Sequence, residues 1–371
     1  MITIGVLKEP SFESRVSLLS AEAIALVKLG RSVWVEEGAG LKAFCSDADY
    51  TNGGAVIKSR AEILASADIL LIINSNDIPV TVKDKILIGV YEPLLNAKLM
   101  QDWTKQALTV FSLDMLPRIS RAQSMDVLSS QANIAGYKSI LLAASIYPHY
   151  LPMMMTAAGS VPPAKVMVIG AGVAGLQAVA TAKRLGAVVE VFDTRPEAKE
   201  EVQSLGARFI DVEGAADASK AGGYAVDQSA DFQQKQKASI AEHIKKADIV
   251  ITTAQIHGKK APVLVTKEMI AGMKGGSVII DLASSTGGNT ESTKDSETVQ
   301  AGSVTIIGNS NLASSVSADA SKLYGKNISN FLTLLINDKG IIDINLKDEI
   351  IKGACVTPIA NPISPATLKT A

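Results

Sequence analysis

Short runs of β-branched and apolar residues alternate with longer stretches in which apolar positions recur every three or four residues, and the alternation persists along most of the chain. Toward the N-terminus, strands are expected at 3–7, 33–36, 69–73 and 86–90, with helices near 21–29 and 60–66 between them. A second series of strands begins at 165–169 and continues at 188–192, 209–212, 248–252, 277–281 and 304–307. Continuous apolar runs suit strands buried on both faces, and strands separated by helical stretches pair in parallel.

The expected fold class is therefore α/β, with two Rossmann-like, doubly wound parallel-sheet domains separated by a cleft. Residues 129–145 form an apolar-rich stretch ahead of Pro148 and Pro152, read as a helix crossing from one domain to the other. Residues 314–335 have helical spacing and would carry the chain back, where strands near 341–344 and a Pro-rich tail at 358–365 complete the first domain. The expected domains are 1–128 with 321–371, and 129–320. The Gly/Lys/Gln-rich interval 215–237 is low in apolar residues and reads as a surface loop.

With 371 residues the chain exceeds a single core, which stops growing at roughly 250–300 residues. Its 36 basic and 37 acidic residues leave a net charge of −1, which gives no electrostatic basis for binding nucleic acid. Cys45 and Cys355 are far apart, and His149, His243 and His257 include no pair at helical spacing, so no metal is expected. The opening residues read as a strand without the features of a signal peptide, which points to the cytosol. Mean hydropathy is +0.23, but the apolar runs are strand-sized and fall short of the roughly 20 residues of a membrane helix, so no direct membrane insertion is expected.

Gly170-Ala-Gly172-Val-Ala-Gly175 follows one of these strands and precedes a helical pattern, which is the dinucleotide-binding context. Gly170 would make the tight turn, Gly172 would admit the pyrophosphate, and Gly175 would let helix and strand pack closely. The helix amides, including those of Val173 and Ala174, would face the phosphates. Asp193 ends the next strand at the ~20-residue distance at which an acidic side chain takes the ribose hydroxyls and selects NAD(H) over NADP(H). Thr194 and Arg195 complete that strand tip; Arg195 could instead favour a phosphate, and Asp193 could cap a helix that begins near Pro196.

The run from Met115 to Gln131 crowds Arg118, Gln123, Asp126 and Ser129 into one segment, a set suited to a polar planar ligand and free of any nucleophile or metal cage. Through Asn133-Ile-Ala-Gly136-Tyr137 this run resembles the signature loop of the soluble NAD(H)-binding component of proton-translocating nicotinamide nucleotide transhydrogenase. Residues 152–163, 175–187, 221–225 and 276–283 are similar too. The resemblance implies that Arg118, Gln123, Asp126 and Ser129 surround the nicotinamide and that Tyr224 sits in a loop folding over bound nucleotide. It also puts Ala254 and Gln255 at the cofactor. It implies hydride transfer from NADH to NADP⁺ held by a partner component, a membrane-spanning proton channel as a further partner, a homodimer, and attachment to the cytoplasmic face of the inner membrane through those partners.

Alanine dehydrogenase shares this fold and the Lys8-Glu9 … Arg15-Val16 opening. Here Tyr91 lies within the segment where that family's histidine is expected, Ile72 where its substrate lysine is, and Ser285 near its catalytic aspartate. Amino-acid oxidation needs an acid/base residue, so these differences disfavour it, and Arg15 reads as a salt-bridged core arginine. An NAD(H)-sensing protein that has lost turnover is the other alternative, fed by departures at Gln255, His257, Lys260, 284–286 and 311–315 from the transhydrogenase pattern.

Overall fold

The computed structural model describes residues 1–74, 78–212, 214 and 229–358. It divides into two compact units, Met1–Gln131 with Ser314–Ala371, and Ala132–Ala313.

The first unit runs β1 (Thr3–Val6), α1 (Ser20–Lys28), β2 (Ser32–Glu36), α2 (Asp47–Thr51), β3 (Val56–Lys58), α3 (Arg60–Ser66), β4 (Ile69–Leu71), β5 (Ile86–Gly89), α4 (Ala97–Lys105) and β6 (Thr109–Ser112). Its sheet has the order β3-β2-β1-β4-β5-β6 with every pair parallel. Alternation within the apolar runs decides which face each side chain covers. Ile69, Leu71, Ile86, Ile88 and Phe111 enter one core, while Leu70, Leu87 and Val110 enter the other with Tyr91 and Trp103.

Helix α5 (Val127–Ile146) contains the boundary between the units. The second unit continues with the hairpin β7 (Met154–Thr156) and β8 (Gly159–Val161), then β9 (Lys165–Ile169), α6 (Val173–Arg184), β10 (Val188–Phe192), α7 (Ala198–Ser204), β11 (Arg208–Phe209), α8 (Ala230–Ile244), β12 (Ile249–Thr252), α9 (Lys267–Ala271), β13 (Val278–Asp281), β14 (Thr298–Ala301) and β15 (Val304–Gly308). The order is β11-β10-β9-β12-β13-β15-β14, parallel except for β14 against β15. Val166, Val168, Ile249 and Ile251 fill one face and Met167, Ile169 and Val250 the other.

Helix α10 (Ser317–Leu335) presents Tyr324, Ile328, Phe331, Leu332 and Leu335 to the first unit's core, an i, i+4, i+7, i+8, i+11 stripe. Helix α11 (Glu349–Ala354) follows. Beyond it Val356 donates to the Val110 carbonyl at 2.9 Å, and the Thr357 hydroxyl accepts from the Val110 amide and donates to Leu108, so the chain covers the open edge of β6.

Three sequence expectations change. Residues 341–344 are not a strand: Ile342 makes one bridge to Ile336, and polar and exposed positions interrupt the run. The loop expected to reach 237 gives way to α8 at Ala230, because the Ser229 hydroxyl caps the Phe232 amide and Phe232, Gln236, Ile240 and Ile244 are buried at helical spacing. The strand expected at 209–212 is only Arg208–Phe209. Residues 215–228 and most of the Pro-rich tail lie outside the described residues. Among the described residues, no helix is long and apolar enough to cross a membrane and no His/Cys/Asp/Glu group could hold a metal ion.

Candidate functional site

The fingerprint turn sits at the end of β9, beside β12, where the strand order of the second sheet reverses; doubly wound sheets take ligands at this point. The three glycines meet different constraints. Gly170 has φ +102°, and a Cβ there would lie 2.5 Å from the Thr253 hydroxyl. A Cβ on Gly175 would lie 1.8 Å from the Gly170 carbonyl oxygen, so its hydrogen is what lets α6 start this close to β9. At Gly172 a Cβ would meet nothing within 4 Å, which leaves its outer face open to a ligand.

Gly172 is the N-cap of α6 and has no side chain to satisfy the first amides. The amides of Val173 and Ala174 belong to the first turn, which has no intrahelical acceptors. They and the helix dipole suit an anion. Val173 is exposed and Ala174 half-buried. Ala174 also packs on Gly136 of α5, where a Cβ would come within 2.0 Å of the Ala174 carbonyl.

Asp193 stands at the tip of β10. Its Oδ2 accepts from the Ala171 amide at 2.6 Å and from Arg195 Nη2 at 3.0 Å; its Oδ1 accepts from the Arg195 amide at 2.8 Å and Nε at 2.9 Å. Asp193 thus fixes the turn through Ala171, while Arg195 grips both its oxygens. A ribose diol taking this carboxylate would displace part of the Arg195 contact. Pro196 precedes α7, whose N-cap is Glu197 rather than Asp193. Thr194 is half-buried beside this pair.

The segment after β12 forms the other wall. Thr253 donates to the Gly170 carbonyl at 3.0 Å. The Ala254 amide donates to Asn289 Oδ1 at 3.0 Å, and its carbonyl accepts from Asn289 Nδ2 at 2.8 Å, so Ala254 presents its methyl group rather than a free backbone group. Gln255 is exposed and donates to Leu282 at 3.3 Å. Asn289 is fully buried, and its own amide donates to Asp281 at 2.6 Å. Tyr224 lies outside the described residues.

Arg118, Gln123, Asp126 and Ser129 belong to the first unit. Residues Ser120–Met125 form a 3-10 helix, whose three-residue turn places Ala122 and Met125 on one row; both are buried, with Ile119 partly buried just before them. That burial turns Gln123 outward, and Arg118 is exposed as well. Asp126 accepts from the Ser129 amide at 2.9 Å and hydroxyl at 2.6 Å, which caps the start of α5 and locks these two predicted residues together. Sequence reading missed what holds the segment from outside. Asn327 Nδ2 and Asn330 Nδ2 donate to the Ser124 carbonyl at 2.8 and 3.0 Å, the Ser130 hydroxyl donates to Asn327 Oδ1 at 2.8 Å, and Arg121 pairs in bidentate fashion with Asp348 at 2.7 and 2.8 Å. These partners are about 200 residues away in sequence, and no local pattern marks them.

The first sheet has its own reversal point, between β1 and β4, and buried charges of the chain occupy it. Glu9, after β1, accepts from the amides of Ile73 and Asn74 at 2.6 and 3.1 Å. Glu13 accepts from Arg15 Nε and Nη2 at 2.9 and 2.7 Å, and Arg15 Nη1 reaches Gln131 at 2.9 Å. Arg15 is the buried, ion-paired arginine expected. Burial pushes Glu13 up, but the Arg15 bonds outweigh it and hold the carboxyl at about 2. Burial dominates at Glu9, opposed by the two amides, and raises it to about 7. Nearby, Ile72 is fully buried and Tyr91, also buried, donates its hydroxyl to the Ile72 carbonyl at 3.1 Å, so neither offers an acid or base; Ser285 is exposed.

The family profile described as Alanine dehydrogenase/PNT, N-terminal domain, matches residues 5–135, and Alanine dehydrogenase/PNT, C-terminal domain, matches residues 139–361. The chain is 44% identical over 366 residues to an NAD(P) transhydrogenase alpha-subunit chain of Rhodospirillum rubrum, covering 95% of each chain. Its fold superposes on the crystal structure of transhydrogenase from Sinorhizobium meliloti with a TM-score of 0.87 and 43% identity, over 96% of this chain and 98% of that one. An L-alanine dehydrogenase structure shares the fold, with a TM-score of 0.79 and 24% identity over 98% of this chain and 99% of that one. Matched by both profiles across nearly all its length, and similar from end to end to transhydrogenase alpha subunits, the chain belongs to the alanine dehydrogenase/PNT family.

Proposed function

We propose that this chain is the NAD(H)-binding component of a proton-translocating NAD(P)⁺ transhydrogenase. The turn from Gly170 to Gly175 is the observation that supports the reading best: it has a left-handed first glycine, an open second glycine, a third glycine against the backbone, and uncapped amides at the start of α6. Gly172, Val173 and Ala174 would hold the pyrophosphate. Asp193 would take the adenosine ribose, with Thr194 and Arg195 beside it and Ala254 and Gln255 on the facing wall. Tyr224 would close over the nucleotide.

NADH, when bound, supplies hydride from its C4 to C4 of NADP⁺ carried by a partner component. Arg118, Gln123, Asp126 and Ser129 orient the nicotinamide carboxamide, and the exposed Gln123 also faces the second nucleotide. No side chain has to give or take a proton, so the chain contributes orientation, proximity and exclusion of water. A membrane-spanning partner would couple the transfer to proton translocation, leaving this chain peripheral on the cytoplasmic face.

The protein would act as a homodimer. Both strands of the β7–β8 hairpin are exposed throughout, with Met153 62% and Met155 76% exposed, and a lone two-stranded hairpin is marginal in water. A second copy of the same hairpin is the occupant that suits it.

The reading is tested by titrating the purified chain with NADH and NADPH and following nucleotide fluorescence. Saturation with NADH and at least about tenfold weaker NADPH binding is expected, which corresponds to about 1.4 kcal/mol. Tighter NADPH binding would overturn the assignment of Asp193 and the choice of nucleotide.

A further inference from the structure

We propose that Asn327 on α10 is a positioning residue for hydride transfer, because its one carboxamide fixes both ends of the segment that carries Asp126 and Ser129. The inference rests on the reading above that this segment serves the nicotinamide.

Asn327 is 8% exposed, and both polar atoms of its side chain are engaged. Nδ2 donates to the Ser124 carbonyl at 2.8 Å, next to Gln123. Oδ1 accepts from the Ser130 hydroxyl at 2.8 Å, next to Ser129. The 3-10 helix Ser120–Met125 and the first turn of α5 are thus tied to one planar group about 200 residues away in the sequence, and the turn between them carries Asp126. A short 3-10 helix has poor internal hydrogen-bond geometry and holds its shape only if something outside does so. Ala122 and Met125 supply that from the buried side, and Asn327 supplies it at the backbone.

Two further contacts bear on the same segment. Asn330 adds a second donor to the Ser124 carbonyl at 3.0 Å, so that oxygen stays satisfied if Asn327 is lost, while the link to Ser130 does not. Arg121 and Asp348 form an outer, exposed tie from the same 3-10 helix to the N-cap of α11. Asn327 is the inner tie and the one that reaches across to α5.

Hydride transfer needs the reacting carbons in near-attack geometry, and a misplacement of about 1 Å can cost roughly a hundredfold in rate. Nucleotide affinity, in contrast, would rest on the fingerprint turn and Asp193, which Asn327 does not touch. Loss of Asn327 should therefore lower the transfer rate while sparing NADH binding.

The test uses the full chain with a transhydrogenase NADP(H)-binding component and compares Asn327→Asp, Asn327→Ala, Ser130→Ala and Gln123→Asn. Asp keeps an acceptor for Ser130 but cannot donate to Ser124; Ser130→Ala removes the other half of the link and serves if Asn327→Ala does not fold. Transfer at saturating nucleotide, the NADH dissociation constant and the melting temperature are measured for each. The expected result for the Asn327 and Ser130 variants is a fall in transfer of at least about tenfold, with the NADH dissociation constant changed less than about threefold. Wild-type transfer in the Asn327 variants while Gln123→Asn is slow would overturn the positioning role. Loss of affinity and melting temperature in step with transfer would overturn it as well, leaving a fold contact. Unimpaired transfer in Gln123→Asn would instead sink the assignment of the segment to the nicotinamide.

Discussion

Two glycines of one turn should respond in opposite ways to the same added methyl group. In Gly175→Ala the new Cβ would fall 1.8 Å from the Gly170 carbonyl oxygen, where real Cβ contacts essentially never come under 3.0 Å, and that oxygen is backbone at the tip of β9. The turn or α6 must move, at a cost of about 1–3 kcal/mol for overpacking. For a unit of this size that amounts to a drop in melting temperature of several degrees, at about 2–4 °C per kcal/mol. In Gly172→Ala the Cβ meets nothing within 4 Å, and the backbone, at φ −75° and ψ −170°, is open to any residue. The melting temperature should shift by no more than the effect of an N-cap change, about 1 kcal/mol or less, partly offset by the lower chain entropy of Ala. NADH affinity should nevertheless fall by at least about tenfold, because the methyl group fills the space the pyrophosphate needs. Calorimetry of the free variants and fluorescence titration with NADH separate the two effects. Wild-type affinity in a folded Gly172→Ala would refute the placement of the pyrophosphate, and an unshifted melting temperature in Gly175→Ala would refute the packing argument.

Asp193→Ala should weaken NADH by roughly 1–3 kcal/mol if this carboxylate holds the ribose, and titration at fixed salt would show unchanged binding if recognition lies elsewhere. With Glu9 raised to about 7 in the folded protein, the native state binds more protons than the unfolded chain between about pH 4.5 and 7, so stability should fall as pH rises through that window. Glu9→Gln should flatten this slope in urea melts at pH 5 and pH 8, and an equal slope in both proteins would remove Glu9 as its source. Met153→Ser with Met155→Ser should shift sedimentation from dimer to monomer without changing far-UV dichroism; a dimer unaffected by both changes would place its interface away from the hairpin.

The parallel sheets were legible because every central strand is a continuous apolar run between helical patterns, as with 69–71, 86–89, 249–252 and 278–281. Edge elements were less legible. β3 has an exposed first residue and two half-buried ones, and β14 alternates exposed with half-buried positions, so neither carries a run. The fingerprint glycines could be placed by spacing alone, since backbone geometry demands them. The partners of the Gln123 segment could not: Asn327, Asn330 and Asp348 are ordinary polar residues whose role comes from tertiary contact. Asp193 was located correctly at a strand tip, but its bidentate pairing with Arg195 depends on a turn conformation that the sequence does not state.

The central claim is direct transfer between two nicotinamides with this chain holding NADH. It is tested most directly by mixing the chain with an NADP(H)-binding component, supplying NADH that carries deuterium on C4, and following the label by mass spectrometry. The account predicts deuterated NADPH with no label lost to water, and no turnover when NAD⁺ and L-alanine are supplied to the chain alone. Bound NADH that passes no deuterium to NADP⁺, or oxidation of alanine by the chain alone, would contradict it.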